Sequence, residues 1–132
     1  MRMVVTVLLS LAISALAWAD PTPKVLVVVN RADWCSVCKA NGERAAKAFA
    51  QANSDGALRL IVNDLTSEET LKKSSAGLKA VGLEKTMANY TATGVLYFFD
   101  AKTRKPLRQI TVANSDQEIM MVAEAAKKDA SR

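Results

Sequence analysis

Apolar residues along this chain fall into short unbroken runs and into longer stretches with a helical period. Residues 25–29 form an unbroken, β-branched run, which is typical of a strand covered on both faces of a sheet. Residues 35–52 carry apolar side chains on one broad stripe and charged side chains mostly outside it, which predicts an amphipathic helix. The Asn-Ser-Asp-Gly sequence at residues 53–56 ends this helix. The folded part of the chain therefore begins with a buried strand that passes directly into a helix.

The same patterns predict the remaining elements. Thr66 and Glu69 have the spacing of a capping box and open a second helix, whereas residues 84–93 are interpreted as a loop. Ser115 and Glu118 have the same spacing at the start of the last helix. The other predicted elements are strands over residues 58–63, 95–99 and 107–112 and a final helix over residues 115–128.

The predicted order of elements is β-α-β-α-β-β-α. The long crossover between the first two strands predicts that they are parallel, and the short turn between the last two predicts an antiparallel hairpin. Because unbroken apolar runs belong inside a sheet, the first strand should lie between the second and the third. The sequence thus predicts an α/β fold with a four-stranded mixed sheet flanked by helices.

Residues 1–19 have the features of a secretory signal peptide. A basic residue near the start precedes a mainly apolar stretch over residues 4–16, and Ala17 and Ala19 satisfy the small-x-small cleavage rule. The stretch is too short, and the residues after it are too polar, for a membrane-spanning helix. We expect cleavage, a mature domain over residues 20–132 and no stable membrane insertion afterwards. The alternative is an uncleaved N-terminal anchor.

The charge distribution excludes one class of partner. The chain has 18 basic and 13 acidic side chains and a net charge of +5, and these charges are scattered along the sequence. A nucleic-acid interface requires a basic cluster with stacking aromatic residues beside it, and the sequence has no such cluster. We therefore expect no nucleic-acid partner.

The only two cysteines, Cys35 and Cys38, lie where the first strand passes into the first helix. That end of a helix carries a partial positive charge and unpaired N–H groups, which favour a thiolate. With Arg31 and Lys39 close in sequence, we expect the pKa of the first thiol to lie below its unperturbed value of about 8.5. A disulfide here would close too short a loop to act mainly as a structural cross-link. The pattern indicates a dithiol/disulfide redox centre.

The Ala-Asp-Trp-Cys-Ser-Val-Cys-Lys phrase at residues 32–39, together with the order of elements, resembles the thioredoxin superfamily. Among exported members it is most similar to the C-terminal domain of DsbD-type thiol:disulfide interchange proteins, and it is also similar to TlpA-type reductases. The resemblance implies a thioredoxin-like fold, with Cys35 as the exposed attacking thiol and Cys38 as the more buried resolving thiol. It implies that Trp34 shapes the substrate-binding surface. It also implies a periplasmic location, protein disulfide or dithiol substrates and a thiol electron donor.

Two positions depart from the family's pattern. Val29 stands where family members often carry a buried carboxylate beneath the resolving cysteine, and only Asp33 or Glu43 could replace it. Thr93 and Gly94 stand at the substrate-binding loop that usually contains a cis-proline. We expect a trans peptide there, because a non-proline cis bond costs roughly 3 kcal/mol. Since the family's proline keeps metals off the thiols, Gly94→Pro should weaken metal binding and change turnover.

The function predicted from these residues is thiol–disulfide exchange through a Cys-Ser-Val-Cys pair. Because Ser36 and Val37 add no cation that would stabilise a thiolate further, we expect a reducing rather than an oxidising direction. We expect no cofactor, and Lys39 excludes a C-x-x-C-H haem attachment site. Two alternatives stay open: a redox-inactive disulfide in a thioredoxin-like binding module, and Cu or Zn binding by the two thiolates. The chain contains no His, so it offers no obvious third ligand for a metal.

Overall fold

The computed structural model describes residues 22–131, so the predicted signal peptide at residues 1–19 lies outside the described residues. Within this part of the chain no helix is both long and apolar enough to cross a membrane. The strands are β1 (Val25–Arg31), β2 (Leu58–Asp64), β3 (Val95–Asp100) and β4 (Pro106–Thr111). The helices are α1 (Ser36–Ala52), α2 (Glu68–Ala80), α3 (Glu84–Met87) and α4 (Asp116–Asp129).

The four strands form one mixed sheet in the order β2-β1-β3-β4. β1 pairs with β2 in parallel, with Val25 opposite Leu58 and Asn30 opposite Asn63. β3 is antiparallel to both β1 and β4. The predicted fold class, strand directions and central place of β1 are therefore confirmed. Since the carboxyl end of β1 leads into α1, the cysteine pair lies at that edge of the sheet.

Two hydrophobic cores cover the two faces of the sheet. The core on the side of α1 and α4 contains Val25 and Val27 of β1 together with Phe98. The core on the side of α2 and α3 contains Leu26 and Val28. Because successive side chains of a strand point to opposite faces, the unbroken apolar run of β1 contributes to both cores. Full burial of one such side chain stabilises the fold by roughly 1.5–3 kcal/mol.

The start of α2 differs from the predicted capping box by one residue. The N-cap is Ser67, whose hydroxyl accepts a hydrogen bond from the N–H of Thr70 at 3.2 Å. The predicted cap, Thr66, instead donates its hydroxyl to a carboxylate oxygen of Asp64 at 2.5 Å. This competing acceptor, two residues earlier, moves the cap to Ser67. The second predicted capping box, at the start of α4, is confirmed.

The segment predicted as a loop over residues 84–93 begins with the short helix α3. Leu83 is fully buried before it and Met87 is 4% exposed at its end, so this turn packs both side chains into the core beside α2. A single helical turn is too short to show a helical period, and the pattern therefore gave no signal for it.

The carboxylate of Asp100, at the end of β3, ties Ser131, which follows α4, to the sheet. It accepts hydrogen bonds from the N–H of Lys102 at 2.8 Å and from the N–H and hydroxyl of Ser131 at 2.7 and 2.6 Å. These bonds hold the pKa of Asp100 well below its usual range, and the two from Ser131 contribute most. A carboxyl whose pKa is depressed by folding stabilises the fold above its unfolded pKa, and it loses this contribution as the pH falls through its native pKa.

We predict that Asp100→Asn destabilises the protein at neutral pH and that its deficit shrinks below about pH 4, the ordinary carboxyl pKa. Urea unfolding at pH 7, 5 and 3 measures the difference between wild type and variant. Glu69→Gln is the control, because Glu69 is an exposed carboxylate paired only with Lys73 on the surface of α2. A deficit that is the same at every pH would show that the negative charge is not what matters.

Candidate functional site

The two cysteines lie at the first turn of α1. Cys35 is the N-cap residue and Cys38 lies within the first helical turn. The short connector from β1 is held by the buried Ala32, whose carbonyl accepts the N–H of Cys35 at 3.1 Å. The cysteines are joined by a disulfide across a Cα–Cα distance of 5.3 Å, which lies within the range such bonds require. The predicted position of the pair at a helix N-terminus is confirmed.

The sulfur of Cys35 takes the place that an oxygen usually has at a helix N-cap. It accepts a hydrogen bond from the N–H of Cys38 at 3.2 Å. The N-terminus of α1 also contributes the positive end of the helix dipole, and its first turn contains no acidic residue that would compete for it. This environment favours negative charge on the first sulfur.

The exposure of the two cysteines is the reverse of the expected one in this disulfide form. Cys35 is only 6% exposed, whereas Cys38 is half-buried. The prediction that Cys35 is exposed and that Cys38 is the more buried of the two is therefore wrong for the oxidised chain. The N-cap conformation provides the reason, because it turns the Cys35 side chain back over the helix end toward the N–H of Cys38. The exposed apolar side chains are those beside the cysteines, Trp34 at 63% and Val37 at 40%.

A polar network fixes the connector between β1 and α1. The guanidinium of Arg31 donates to Asp33 at 2.6 Å and to Asp64 at 2.7 Å, and the N–H of Asp33 donates to the hydroxyl of Thr66 at 2.9 Å. The Thr66 hydroxyl and Arg31 together lower the pKa of Asp64, and the bond to Asp33 contributes most to raising that of Arg31. Arg31 is thus paired with two carboxylates, and the network attaches the residue before Trp34 to the loop after β2.

Val29 stands at the position of the missing buried carboxylate and is half-buried. Together with Cys38 it lines a groove between α1 and the sheet. Neither candidate replacement is a buried acid. The side chain of Asp33 is 72% exposed and bonded to Arg31, and that of Glu43 is 89% exposed on the outer face of α1. The proton of the second thiol therefore has no carboxylate acceptor among these three positions.

Gly94 faces the cysteine pair, as the alignment predicted. A Cβ placed on it would lie 3.7 Å from the sulfur of Cys38 and 3.3 Å from a methyl carbon of Val37. Its φ is +75°, and its N–H donates to the carbonyl of Asn30 at 2.7 Å. Proline has no N–H and a φ fixed near −65°, so it cannot replace Gly94 in this conformation. The proposed Gly94→Pro exchange would disrupt the loop and cannot serve as a test of metal binding.

Two further predictions concern the same loop. The residues described contain no cis peptide bond. Thr93 is half-buried next to Gly94, and its contact with a substrate stays a prediction. Within residues 22–131 there is no cluster of three or more His, Cys, Asp or Glu side chains that could hold a metal ion.

A buried asparagine pair, which no sequence pattern indicated, holds the Gly94 loop. The side chain of Asn30 donates to the carbonyl of Tyr90 at 2.8 Å and accepts from the amide of Asn63 at 2.9 Å. Its backbone carbonyl accepts the N–H of Gly94. Asn30 and Asn63 are 0% and 3% exposed. The available signal was that each asparagine stands at the polar end of an apolar run. That the two lie opposite each other is visible only in the β1–β2 register.

We predict that Asn30→Ala loosens the Gly94 loop and lowers the free energy of unfolding by about 1–3 kcal/mol, the typical cost of a buried polar group left unpaired. The amide of Asn63 and the carbonyl of Tyr90 would each lose a partner. Denaturant unfolding measures the stability, and hydrogen exchange of the Gly94 N–H reports on the loop. Asn89→Ala, an exposed asparagine near the same loop, is the control and should change neither quantity.

Comparisons with known proteins fit this geometry. No protein-family model and no curated protein matches the chain. A secreted Mycobacterium tuberculosis disulfide oxidoreductase, homologous to E. coli DsbE, is similar in structure, with 16% identity, a TM-score of 0.51 and coverage of 77% of this chain and 81% of that one. A thioredoxin-like protein from Porphyromonas gingivalis has 14% identity, a TM-score of 0.51 and coverage of 83% and 79%. Trxlp from Edwardsiella tarda has 22% identity, a TM-score of 0.49 and coverage of 76% and 82%.

The fold of this chain is thioredoxin-like, as its topology and the first two of these similarities show. The narrower resemblance to DsbD-type C-terminal domains and to TlpA-type reductases stays a prediction. At such low identities the shared fold does not transfer a substrate or a partner. The chemistry has to be argued from the cysteine pair itself.

Proposed function

We propose that this protein is a periplasmic thiol-disulfide oxidoreductase that acts through Cys35 and Cys38, mainly in the reducing direction. The observation that carries the proposal is the place of the disulfide, which closes the N-terminal turn of α1 with the first sulfur as the helix cap. The helix dipole and the N–H of Cys38 stabilise a thiolate at that sulfur, and the thiolate is the form that attacks disulfides.

The reaction proceeds in two exchange steps. The Cys35 thiolate attacks one sulfur of a substrate disulfide, and the other substrate sulfur leaves as a thiolate. Cys38 then loses its proton and attacks the sulfur of Cys35, which releases the second substrate thiolate and forms the intramolecular disulfide. The substrate gains two electrons and the dithiol loses two, and an external thiol donor restores the dithiol. Because Val29 offers no carboxylate, the Cys38 proton passes to solvent or to the leaving thiolate.

Apolar side chains around the pair suit a protein substrate. The side chains of Trp34 and Val37, which flank Cys35 in the sequence, are exposed. Gly94 faces Cys38 from the loop before β3. We infer that Trp34, Thr93 and Gly94 contact the polypeptide that carries the disulfide. The export signal that the sequence predicts at residues 1–19 supports a periplasmic location, where protein disulfides persist. The reducing direction follows from the absence of a cation at Ser36 and Val37.

We predict that the dithiol equilibrates with glutathione and that the wild type reduces a model protein disulfide. A titration against mixtures of reduced and oxidised glutathione, followed by alkylation and mass measurement, gives the fraction oxidised. Cys35→Ser should abolish turnover, because the stabilised thiolate is lost. A pair that never cycles would favour the redox-inactive alternative, and purified protein with stoichiometric metal that blocks alkylation would favour the metal-binding one.

The low exposure of Cys35 in the disulfide form makes its role a separate prediction. Cys38→Ser should accumulate a mixed disulfide with the substrate, because the attacking thiol remains and the resolving thiol is gone. Cys35→Ser should accumulate little. Non-reducing electrophoresis and mass measurement of the adducts distinguish the two variants. Stronger trapping by Cys35→Ser would reverse the two roles and would identify the more exposed Cys38 as the attacking residue.

A further inference from the structure

The outer edge of β2 is the feature from which the inference starts. Among residues 22–131, β2 is the last strand of the sheet on its side, so alternate peptide groups point away from β1. The carbonyl of Ala57 accepts N–H groups from residues 24 and 25, and the N–H of Leu65 donates to Arg31, so odd-numbered residues face β1. The even-numbered residues of β2 therefore present their N–H and C=O groups outward.

Both ends of this outer edge are closed by side chains. The amide of Asn53 pairs with the N–H and the C=O of Leu58 at 2.9 and 2.7 Å. At the other end the hydroxyl of Ser74 accepts the N–H of Asp64 at 2.9 Å, and the hydroxyl of Thr70 donates to its C=O at 3.1 Å. Each terminal residue of the edge thus has both outward groups satisfied, which protects the strand ends against unwanted pairing.

Between these caps lies an open stretch that we call the β2 window, residues 60–62. Within the described part of the chain, the outward peptide groups of Leu60 and Val62 have no hydrogen-bond partner. The side chains of these two residues are 42% and 47% exposed, although both are apolar. The window therefore offers two donors and two acceptors beside an apolar surface.

A groove connects the β2 window with the redox site. Its volume is about 290 Å³, and it runs between α1 and the sheet from Leu60 and Val62 to Cys38. Its walls are almost entirely apolar, and Lys39 and Arg31 provide its positive charges. Arg31 is already paired with two carboxylates, whereas no ion pair of Lys39 is found among the described residues. The groove thus favours an apolar side chain with an acidic group close to Lys39.

The caps limit what can occupy the window. In a symmetric antiparallel pairing of two copies about Ile61, Leu58 would face Asp64 of the other copy. The Asn53 side chain, already bonded to Leu58, would then lie in the path of the incoming strand. The free groups span only about three residues, or roughly 10 Å at the rise of a strand. A short extended segment fits this space better than a second seven-residue strand.

We propose that the β2 window binds a short extended segment of the disulfide-bearing protein substrate by strand addition, with one apolar side chain in the groove. The segment would form up to four backbone hydrogen bonds with Leu60 and Val62, and alternate side chains would decide which sequences bind. This proposal rests on the proposed function, because it concerns the substrate of the same redox site.

The test uses residues 20–132 and two peptides with the same disulfide. One peptide carries a Glu-Val-Thr-Val segment beside the disulfide, and the other carries Gly and Ser there. The double variant Leu60→Thr/Val62→Thr, which removes apolar surface without adding charge, should lower kcat/KM for the first peptide by about tenfold, which corresponds to roughly 1.4 kcal/mol, mainly through KM. It should leave the Gly/Ser peptide and oxidised glutathione unchanged. Leu71→Thr, at an exposed apolar residue of α2, is the matched control and should change the rate for none of the three disulfides.

A binding measurement separates this proposal from the proposed function. A disulfide-free peptide with the same apolar segment should shift the amide signals of Leu60 and Val62, and N-methylation of its alternate backbone nitrogens should abolish binding. An equal loss of rate for both disulfide peptides, or binding that tolerates N-methylation, would overturn strand addition. Dimerisation at micromolar concentration that the double variant removes would assign the window to a second copy instead. Binding without glutathione exchange would overturn the redox function alone.

Discussion

The burial of β1 on both faces is the constraint on which the rest of this structure depends. Its side chains contribute to two separate cores, and its two neighbours in the sheet are held by register pairs along its whole length. Because the strand cannot slip without exposing one of these cores, the connector after it has a fixed position. The N-terminus of α1, the capping sulfur of Cys35 and the facing Gly94 loop are all positioned by that strand.

The strength of each sequence signal explains what could be predicted. The unbroken run of residues 25–29 and the helical stripe after it extend over many positions, so β1, α1 and the sheet topology were recoverable. Helix caps depend on single side chains, and the competing bond from Thr66 to Asp64 moved one of them. The exposure of the cysteines depends on the direction of one side chain at an N-cap. No periodicity carries that information.

The asparagine pair shows a different limit. Asn30 and Asn63 are far apart in sequence and read separately as polar ends of apolar strands, yet together they connect β1, β2 and the loop before β3. Their common role emerges only once the parallel register is known. The same holds for the Arg31 network, which joins the redox connector to the β2–α2 junction. The scaffold of the site is thus a set of long-range polar contacts, whereas its chemistry lies in one local motif.

The conformation of Gly94 limits which residues position 94 can accept. Its backbone lies in the left-handed region, and its N–H is the partner of the Asn30 carbonyl. Proline would lose both, whereas any other L-residue would keep the N–H but would be strained at this φ and would bring its Cβ to 3.3 Å from a methyl carbon of Val37. Position 94 can therefore change only together with the backbone path of its own loop, so the glycine restricts the sequences that this side of the redox site can accept.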